Sequence, residues 1–244
     1  MNIRIPGHGF IGLAITAISI TAVFSCSKKT NNIVMEPLRT DTTASLNTYL
    51  ALGDSYTIGE SVAIQDRFPN QVVKLLHDVN VTVAAPKIIA TTGWTTRNLI
   101  SSLDANPPQN NYSLVSLLIG VNNQYQGRSI DEYRTEFTLL LNRAIQYAAN
   151  KKNRVFVISI PDYSVTPFAA GYDTARIARE IDAFNLVNKD VSTQLGVTWI
   201  DITGISREAT TDPSLIAGDG LHPSGKQYKR WADLLAPLMK QVVQ

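Results

Sequence analysis

Residues 49–56 read Tyr-Leu-Ala-Leu-Gly-Asp-Ser-Tyr. The run Tyr49–Leu52 is apolar without alternation and stops at Gly53. A strand with no polar face is one buried on both sides, the mark of a parallel sheet covered by helices. The same reading applies to Leu114–Ile119, which ends at Gly120, to Val155–Ile160 and to Val197–Ile200. Val81–Ala90 is strand-like too, but Pro86 interrupts it.

Between these runs the apolar period changes to that of a helix. Phe68–Val79 carries Pro69 near its start and Val72, Val73, Leu75 and Leu76 on one face. Thr95–Leu103 reads as a short helix. Ser129-Ile130-Asp131-Glu132 has the form of a capping box, opening a helix with Tyr133, Phe137, Leu140, Leu141, Ala144 and Ala148 at helical spacing. Asp173–Leu195 places Ile177, Ile181, Phe184, Val187 and Val191 on one face, and Gly196 stands where a terminating glycine belongs. From Pro223 to the end runs a last helix with Trp231, Leu234, Leu235 and Leu238, in which Pro237 predicts a kink. Alternating strand and helix predict an α/β fold, a three-layer α/β/α sandwich. Ligands of such folds bind beyond the carboxyl ends of the strands, which directs attention to residues 53–59, 91–96, 120–125, 161–168 and 201–222.

The chain has 244 residues, 44% hydrophobic and 17% charged, with a formal net charge of +2. That balance belongs to a globular protein and not to a disordered, collagenous or coiled-coil one. No long basic run is present, so nucleic acid is not the expected partner. The single cysteine, Cys26, cannot form an internal disulfide or a cysteine zinc cluster. Histidine chemistry must choose among His8, His77 and His222.

Residues 1–25 contain one basic side chain, Arg4, and no acidic one. Phe10–Phe24 is apolar apart from small hydroxyl residues, short for a spanning helix but suited to a signal-peptide core. Ser25-Cys26 follows directly. A cysteine in that place resembles the lipobox of a bacterial lipoprotein precursor, which implies cleavage before Cys26 and lipid attachment to it. The expectation is a signal peptide over 1–25, a lipidated N-terminus and tether over 26–46, and a catalytic domain over 47–244. Several acyl chains would give stable anchoring, since one alone is marginal. The expected location is the bacterial cell envelope, on the periplasmic or cell-surface side.

The strand ends carry the candidate chemistry. Ser55, just past a strand and beside Gly53, is a plausible nucleophile that needs a base; an isolated serine there also reads as a helix cap. His8 leaves with the signal segment, and His77 lies in an amphipathic helix beside Asp78. His222 remains, in Asp219-Gly220-Leu221-His222-Pro223. An aspartate three residues before a histidine can accept its Nδ1–H and leave Nε2 as a base; the same loop can simply cap a helix. Gly93 and Ser55 can offer backbone N–H groups and Asn122 a side-chain amide to an oxyanion, or they can be ordinary loop residues. Asp54 reads as a structural acceptor for turn N–H groups. Trp94, Tyr56, Tyr125, Tyr163 and Phe168 either line a cleft or pack the loops.

Taken together, Gly-Asp-Ser near the start, a Gly after the second strand, Gly-x-Asn after the third and Asp-x-x-His near the end resemble the SGNH (GDSL-type) hydrolases over residues 49–243. The resemblance implies a flavodoxin-like sheet of order 2-1-3-4-5 and hydrolysis of esters without metal or other cofactor. It assigns Ser55 as nucleophile, His222 as base, Asp219 as its orienter, and Ser55, Gly93 and Asn122 as the oxyanion hole. One departure stands out: the family commonly has Gly-x-Asn-Asp, and here Asn123 replaces the last Asp. The expected activity is hydrolysis of carboxylic esters of small or medium acyl groups through an acyl-enzyme. Carbohydrate O-acetyl esters, lysophospholipids and thioesters are alternative substrates. A lipid-anchored carbohydrate-binding protein of the same fold is the non-enzymatic alternative. A nucleotide binder is disfavoured, because residues 47–244 hold neither a Gly-x-Gly-x-x-Gly nor a phosphate-loop lysine motif.

Overall fold

The structure is a computed structural model and describes residues 46–244. The signal-peptide segment, Cys26 and the tether lie outside the described residues, all but Leu46. In chain order the main elements are β1 (Tyr49–Gly53), α1 (Ser55–Ile58), α2 (Phe68–Asp78), β2 (Lys87–Ala90), α3 (Thr96–Ala105), β3 (Leu114–Leu118), α4 (Val121–Tyr125), α5 (Ile130–Tyr147), β4 (Val155–Ile158), α6 (Thr174–Leu195), β5 (Thr198–Ile200), α7 (Thr203–Arg207) and α8 (Gly225–Val243). Among the described residues no helix is long and apolar enough to cross a membrane.

The five strands form one sheet in the order β2-β1-β3-β4-β5, and every neighbouring pair is parallel. This is the expected α/β fold and strand order. The chain leaves β1 toward β2, then returns across β1 to β3 and continues outward. Right-handed crossovers in opposite directions put helices on opposite faces. Accordingly α2 packs on α8, while α3 and α6 both pack on α5. β1 and β3 are buried throughout, which accounts for their largely apolar sequence; Ser116, the exception in β3, is hydrogen-bonded to the Tyr49 hydroxyl at 2.8 Å. The edge strands β2 and β5 are short and partly exposed, a common way of blunting a sheet edge. Leu50, Leu52 and Leu117 are wholly buried. Truncating any of them to alanine would cost about 2–5 kcal/mol.

Several local expectations are refined. The second strand begins only after Pro86; upstream, Val83 makes an isolated bridge to Asn47. The proline has no N–H to give a ladder, so the longer run breaks there. At Ser129 only half of the capping box forms: its side chain accepts from Glu132 N–H at 3.1 Å, while the Glu132 carboxylate faces Arg128 at 3.8 Å. The complete reciprocal box belongs to Thr95 and Asn98 at the start of α3. Ser224, not Pro223, precedes the first turn of α8, and α8 continues through Pro237 to Val243.

Candidate active site

The crossing point of the chain fixes the site. Loops diverge between β1 and β3, so a crevice opens beyond their carboxyl ends. Asp54 and Ser55 follow β1; Val121 and Asn122 follow β3. Gly53 makes the sharp exit from β1 possible. A Cβ there would lie 2.1 Å from Thr57 Oγ1 and 2.3 Å from the Leu118 carbonyl oxygen, so no larger residue fits.

Asp54 caps α1, its Oδ1 accepting from Tyr56 N–H at 3.1 Å. The carboxyl is fully buried and Oδ2 has no hydrogen-bond partner. Burial raises its pKa to about 7, against the opposing pull of N–H groups from Tyr56 and Gly120. Asp54 thus serves structure, as expected from sequence, and does so as a titrating group. Ser55 opens α1, and its N–H has no hydrogen-bond partner among the described residues. The first N–H groups of any helix lack intrahelical acceptors, which leaves Ser55 N–H free to donate into the crevice.

A cleft of about 150 Å³ is lined by Ser55, Gly93, Asn122 and His222, among others. Gly93 adopts φ +82°, a backbone conformation that favours glycine, and its N–H likewise has no partner among the described residues. Asn122 is steered by one amide proton, donated to the Trp94 carbonyl at 3.0 Å; its second amide proton stays free. Asn123 turns away from the cleft. Its Oδ1 accepts from Thr96 N–H at 2.9 Å, and its Nδ2 donates to Thr96 Oγ1 at 2.6 Å.

His222 sits in the loop before α8, with Nδ1 2.6 Å from Asp219 Oδ2. The short Asp-x-x-His spacing lets the carboxylate also accept the backbone N–H groups of Leu221 and His222, at 2.9 and 3.0 Å. The neutral ring therefore carries its proton on Nδ1 and leaves Nε2 as the acceptor. No direct hydrogen bond joins the Ser55 hydroxyl to the imidazole, a spacing common before substrate arrives. The imidazole packs edge-on to Tyr56, centroids 5.5 Å apart, and Tyr56 meets Trp231 of α8 in turn.

Ser61 is a contributor the sequence did not single out. It holds a positive φ of 62° and donates its hydroxyl to Asp219 Oδ2 at 2.6 Å. Partial burial pushes the Asp219 carboxyl up, but the Ser61 hydroxyl, the two N–H groups and the His222 ring outweigh it and hold it well below the usual carboxylate range. No local pattern marks Ser61; the contact spans 158 residues.

Of the aromatic residues, Tyr56, Tyr125, Tyr163 and Phe168 line the cleft, whereas Trp94 packs half-buried against the core. Tyr163 is fixed by its hydroxyl, which donates to Gln124 Oε1 at 3.0 Å. His77 is far from this chemistry: its Nε2 meets the Val83 carbonyl at 2.7 Å, tying the end of α2 to the segment before β2.

Several solved structures share the fold. TesA aligns with a TM-score of 0.63 at 19% identity, covering 80% of this chain and 99% of that one. A lipase/acylhydrolase from Enterococcus faecalis aligns with a TM-score of 0.64 at 17% identity, covering 82% of this chain and 98% of that one. An acetylxylan esterase from Geobacillus stearothermophilus aligns with a TM-score of 0.56 at 19% identity, covering 79% and 94%. No curated protein matches the chain in sequence. The family model described as GDSL-like Lipase/Acylhydrolase matches residues 51–230, a span that runs from β1 into α8 and includes the whole cleft. The chain belongs to the GDSL-like lipase/acylhydrolase family and is an esterase or lipase of it.

Proposed function

We propose that this protein hydrolyses carboxylic esters of short or medium acyl groups, with Ser55 as nucleophile, His222 as general base and Asp219 as the orienter of His222. The observation that carries the reading is the convergence of Ser55, Gly93, Asn122 and His222 on one small cleft, with Asp219 on the far nitrogen of the imidazole. Nε2 takes the Ser55 proton as Oγ attacks the ester carbonyl. Charge then grows on the carbonyl oxygen, where Ser55 N–H, Gly93 N–H and the free Asn122 amide proton donate to it. Collapse expels the alcohol, which receives the proton from the imidazolium. Water repeats the sequence on the acyl-enzyme, and Ser55 is regenerated as the acid departs. Throughout, Asp219 stays ionised and stabilises the imidazolium without taking its proton.

A cleft of about 150 Å³ is small beside the ~300–1,000 Å³ typical of drug-sized ligand sites, which favours a short acyl group. The exposed Tyr125, Phe168 and Tyr172 beside it, with the last two rings stacked 5.9 Å apart, favour a sugar as the alcohol. One neighbour of the same fold carries the name acetylxylan esterase. Cys26, directly after the apolar leader, supports lipid anchoring to a bacterial envelope membrane.

The test is a fluorophosphonate probe on the intact protein, followed by peptide mapping and a hydrolysis screen from acetyl to long-chain aryl esters, acetylated xylo-oligosaccharides and lysophospholipid. Stoichiometric adduct on Ser55 and fastest turnover of acetyl esters are expected. Adduct on Ser61, or full activity in Ser55→Ala, overturns the mechanism. Preference for long acyl chains overturns the substrate assignment. For the anchor, palmitate labelling should be lost in Cys26→Ala; equal labelling of both proteins overturns it.

A further inference from the structure

Three buried polar side chains lie in a row behind the oxyanion side of the cleft. Asn123 is 1%, Thr96 0% and Glu136 3% exposed. Asn123 Nδ2 donates to Thr96 Oγ1, and the Thr96 hydroxyl in turn donates a hydrogen bond to Glu136 Oε2. The other Glu136 oxygen lies 2.5 Å from the Arg97 guanidinium, whose side chain is 68% exposed; the approach is an ion pair without hydrogen-bond geometry. The row has a direction, from amide donor through hydroxyl to carboxylate, and it carries one negative charge at its end.

Its upper end is attached to two of the three candidate oxyanion donors. Asn123 adjoins Asn122, and Thr96 belongs to the segment that starts at Gly93. Asn122 itself reaches the Trp94 carbonyl in that same segment. Two adjacent asparagines therefore clip the start of α4 to the start of α3, and Glu136 on α5 holds the clip from beneath.

We infer that Glu136 is a positioning residue for the oxyanion hole, and that residue 123 is an asparagine because Glu136 already supplies the acceptor end and the single charge this row can hold. The inference rests on the esterase reading above. A carboxylate at 123 would still accept Thr96 N–H. It would also compete with Glu136 for the one Thr96 hydroxyl proton, leaving one buried carboxylate short of a donor beside another of the same sign. Burying an ionised group without its partner is costly. The strain falls on the Gly93–Thr96 and Val121–Tyr125 segments, and displacing catalytic donors by about 1 Å can cost roughly 10²-fold in rate. Glutamine at 136 preserves the direction of the row, since its Oε1 still accepts from Thr96, and removes the charge together with the ion pair to Arg97. The pair Asn123→Asp with Glu136→Gln reverses the row: the new amide at position 136 donates to Thr96 Oγ1, which donates to the new carboxylate at position 123.

The experiment measures kcat and KM for p-nitrophenyl acetate, with melting temperature, in the intact wild type, N123D, E136Q, N123D/E136Q and Thr96→Val. N123D should lose kcat by about 10–100-fold with KM within about threefold, because transition-state contacts are disturbed more than ground-state ones. E136Q should lose less than N123D. The double variant should recover to within about threefold of E136Q, a rescue that additive structural damage does not produce. Thr96→Val, which breaks the row but keeps the shape, should lower kcat with KM little changed. A double variant as impaired as N123D, an N123D protein as active as wild type, or a Thr96→Val protein with unchanged kcat each overturns the inference. Should N123D fail to fold, a folded and active double variant supports it and an unfolded one overturns it. Absence of turnover and of Ser55 labelling in wild type would instead mark failure of the esterase reading. The clip is then read by amide exchange of residues 93–96, expected to be faster in N123D than in the double variant; equal rates overturn it.

Discussion

His222 hangs on an acceptor three residues away, whereas Asn122 hangs on a carbonyl 28 residues away and Asn123 on a threonine 27 away, itself tied to a glutamate 40 further on. The base side of the cleft is a local loop at the protein surface. Asp219 is 28% exposed and also takes the Ser61 hydroxyl. The oxyanion side is backed by a long-range network in which Asn123, Thr96 and Glu136 are buried and joined by hydrogen bonds. A local motif can be assembled by a short loop and tolerates water at its margin. A buried network must be satisfied throughout or it costs more than an apolar core. The first kind of arrangement should degrade by single contacts, the second as a unit.

The sharpest break of this comparison is at His222. His222→Ala should lower kcat/KM by roughly 10⁴-fold or more, the scale of losing a general base from a nucleophilic triad. His77→Ala should leave the rate nearly unchanged and lower the melting temperature, since His77 only ties α2 to Val83. Steady-state kinetics on both variants decides; equal losses would mean that the base has been misassigned.

The next effect is thermodynamic and concerns Asp54, where the two sides meet. Its folded pKa is raised from 3.8 to about 7, so between those values the folded protein holds a proton that the unfolded chain releases. Its stability contribution is therefore greatest below pH 4 and is lost as pH rises toward 7. Asp54→Asn removes this titration. The stability of wild type relative to the variant should fall between pH 4 and 8 by as much as roughly 4 kcal/mol, measured by denaturant unfolding at each pH. A difference that stays flat with pH would remove the buried, proton-holding Asp54 from the account.

Asn122→Ala should lower kcat by roughly 10²–10³ with KM little changed, the usual cost of one oxyanion donor. Asn122→Asp should be no better, since a carboxylate would face developing negative charge. A loss expressed only in KM would assign Asn122 to substrate binding and leave the hole to backbone donors alone.

The smallest effect tests the tolerance of the base side. Ser61→Ala removes one hydrogen bond to Asp219 but leaves those from Leu221 N–H, His222 N–H and the imidazole. One hydrogen bond of ~0.5–1.5 kcal/mol corresponds to roughly 2–12-fold in kcat/KM. A loss of the size expected for Asn122→Ala would show that both sides are cooperative networks, and the contrast between them would fall.

Much of this protein was legible along the chain, for a physical reason. Burial on both faces of β1, β3 and β4 demands largely apolar sequence, so the parallel sheet can be read from Tyr49–Leu52, Leu114–Ile119 and Val155–Ile160, in which only Ser116 and Ser159 interrupt, both buried. Asp219 lies three residues before the His222 it meets, so that pair can be proposed without coordinates; each motif alone is ambiguous, and Ser55 joins the pair through the order of four motifs that resembles the family. Strand ends, on which Gly93 and Asn122 sit, are where a parallel α/β sheet must place its ligands. What only the tertiary structure decided has no local signature. Trp94 was one aromatic among several until the fold turned its carbonyl to Asn122 and its ring to the core. Ser61 is an exposed turn serine until the chain returns 158 residues later with Asp219. Glu136 reads as a polar residue of an amphipathic helix, and Asn123 as a departure without a cause. Packing α5 against α3 brings Glu136 to the Thr96 hydroxyl, and the Asn123 amide donates to that same hydroxyl from the start of α4, so the two residues meet only in the folded chain.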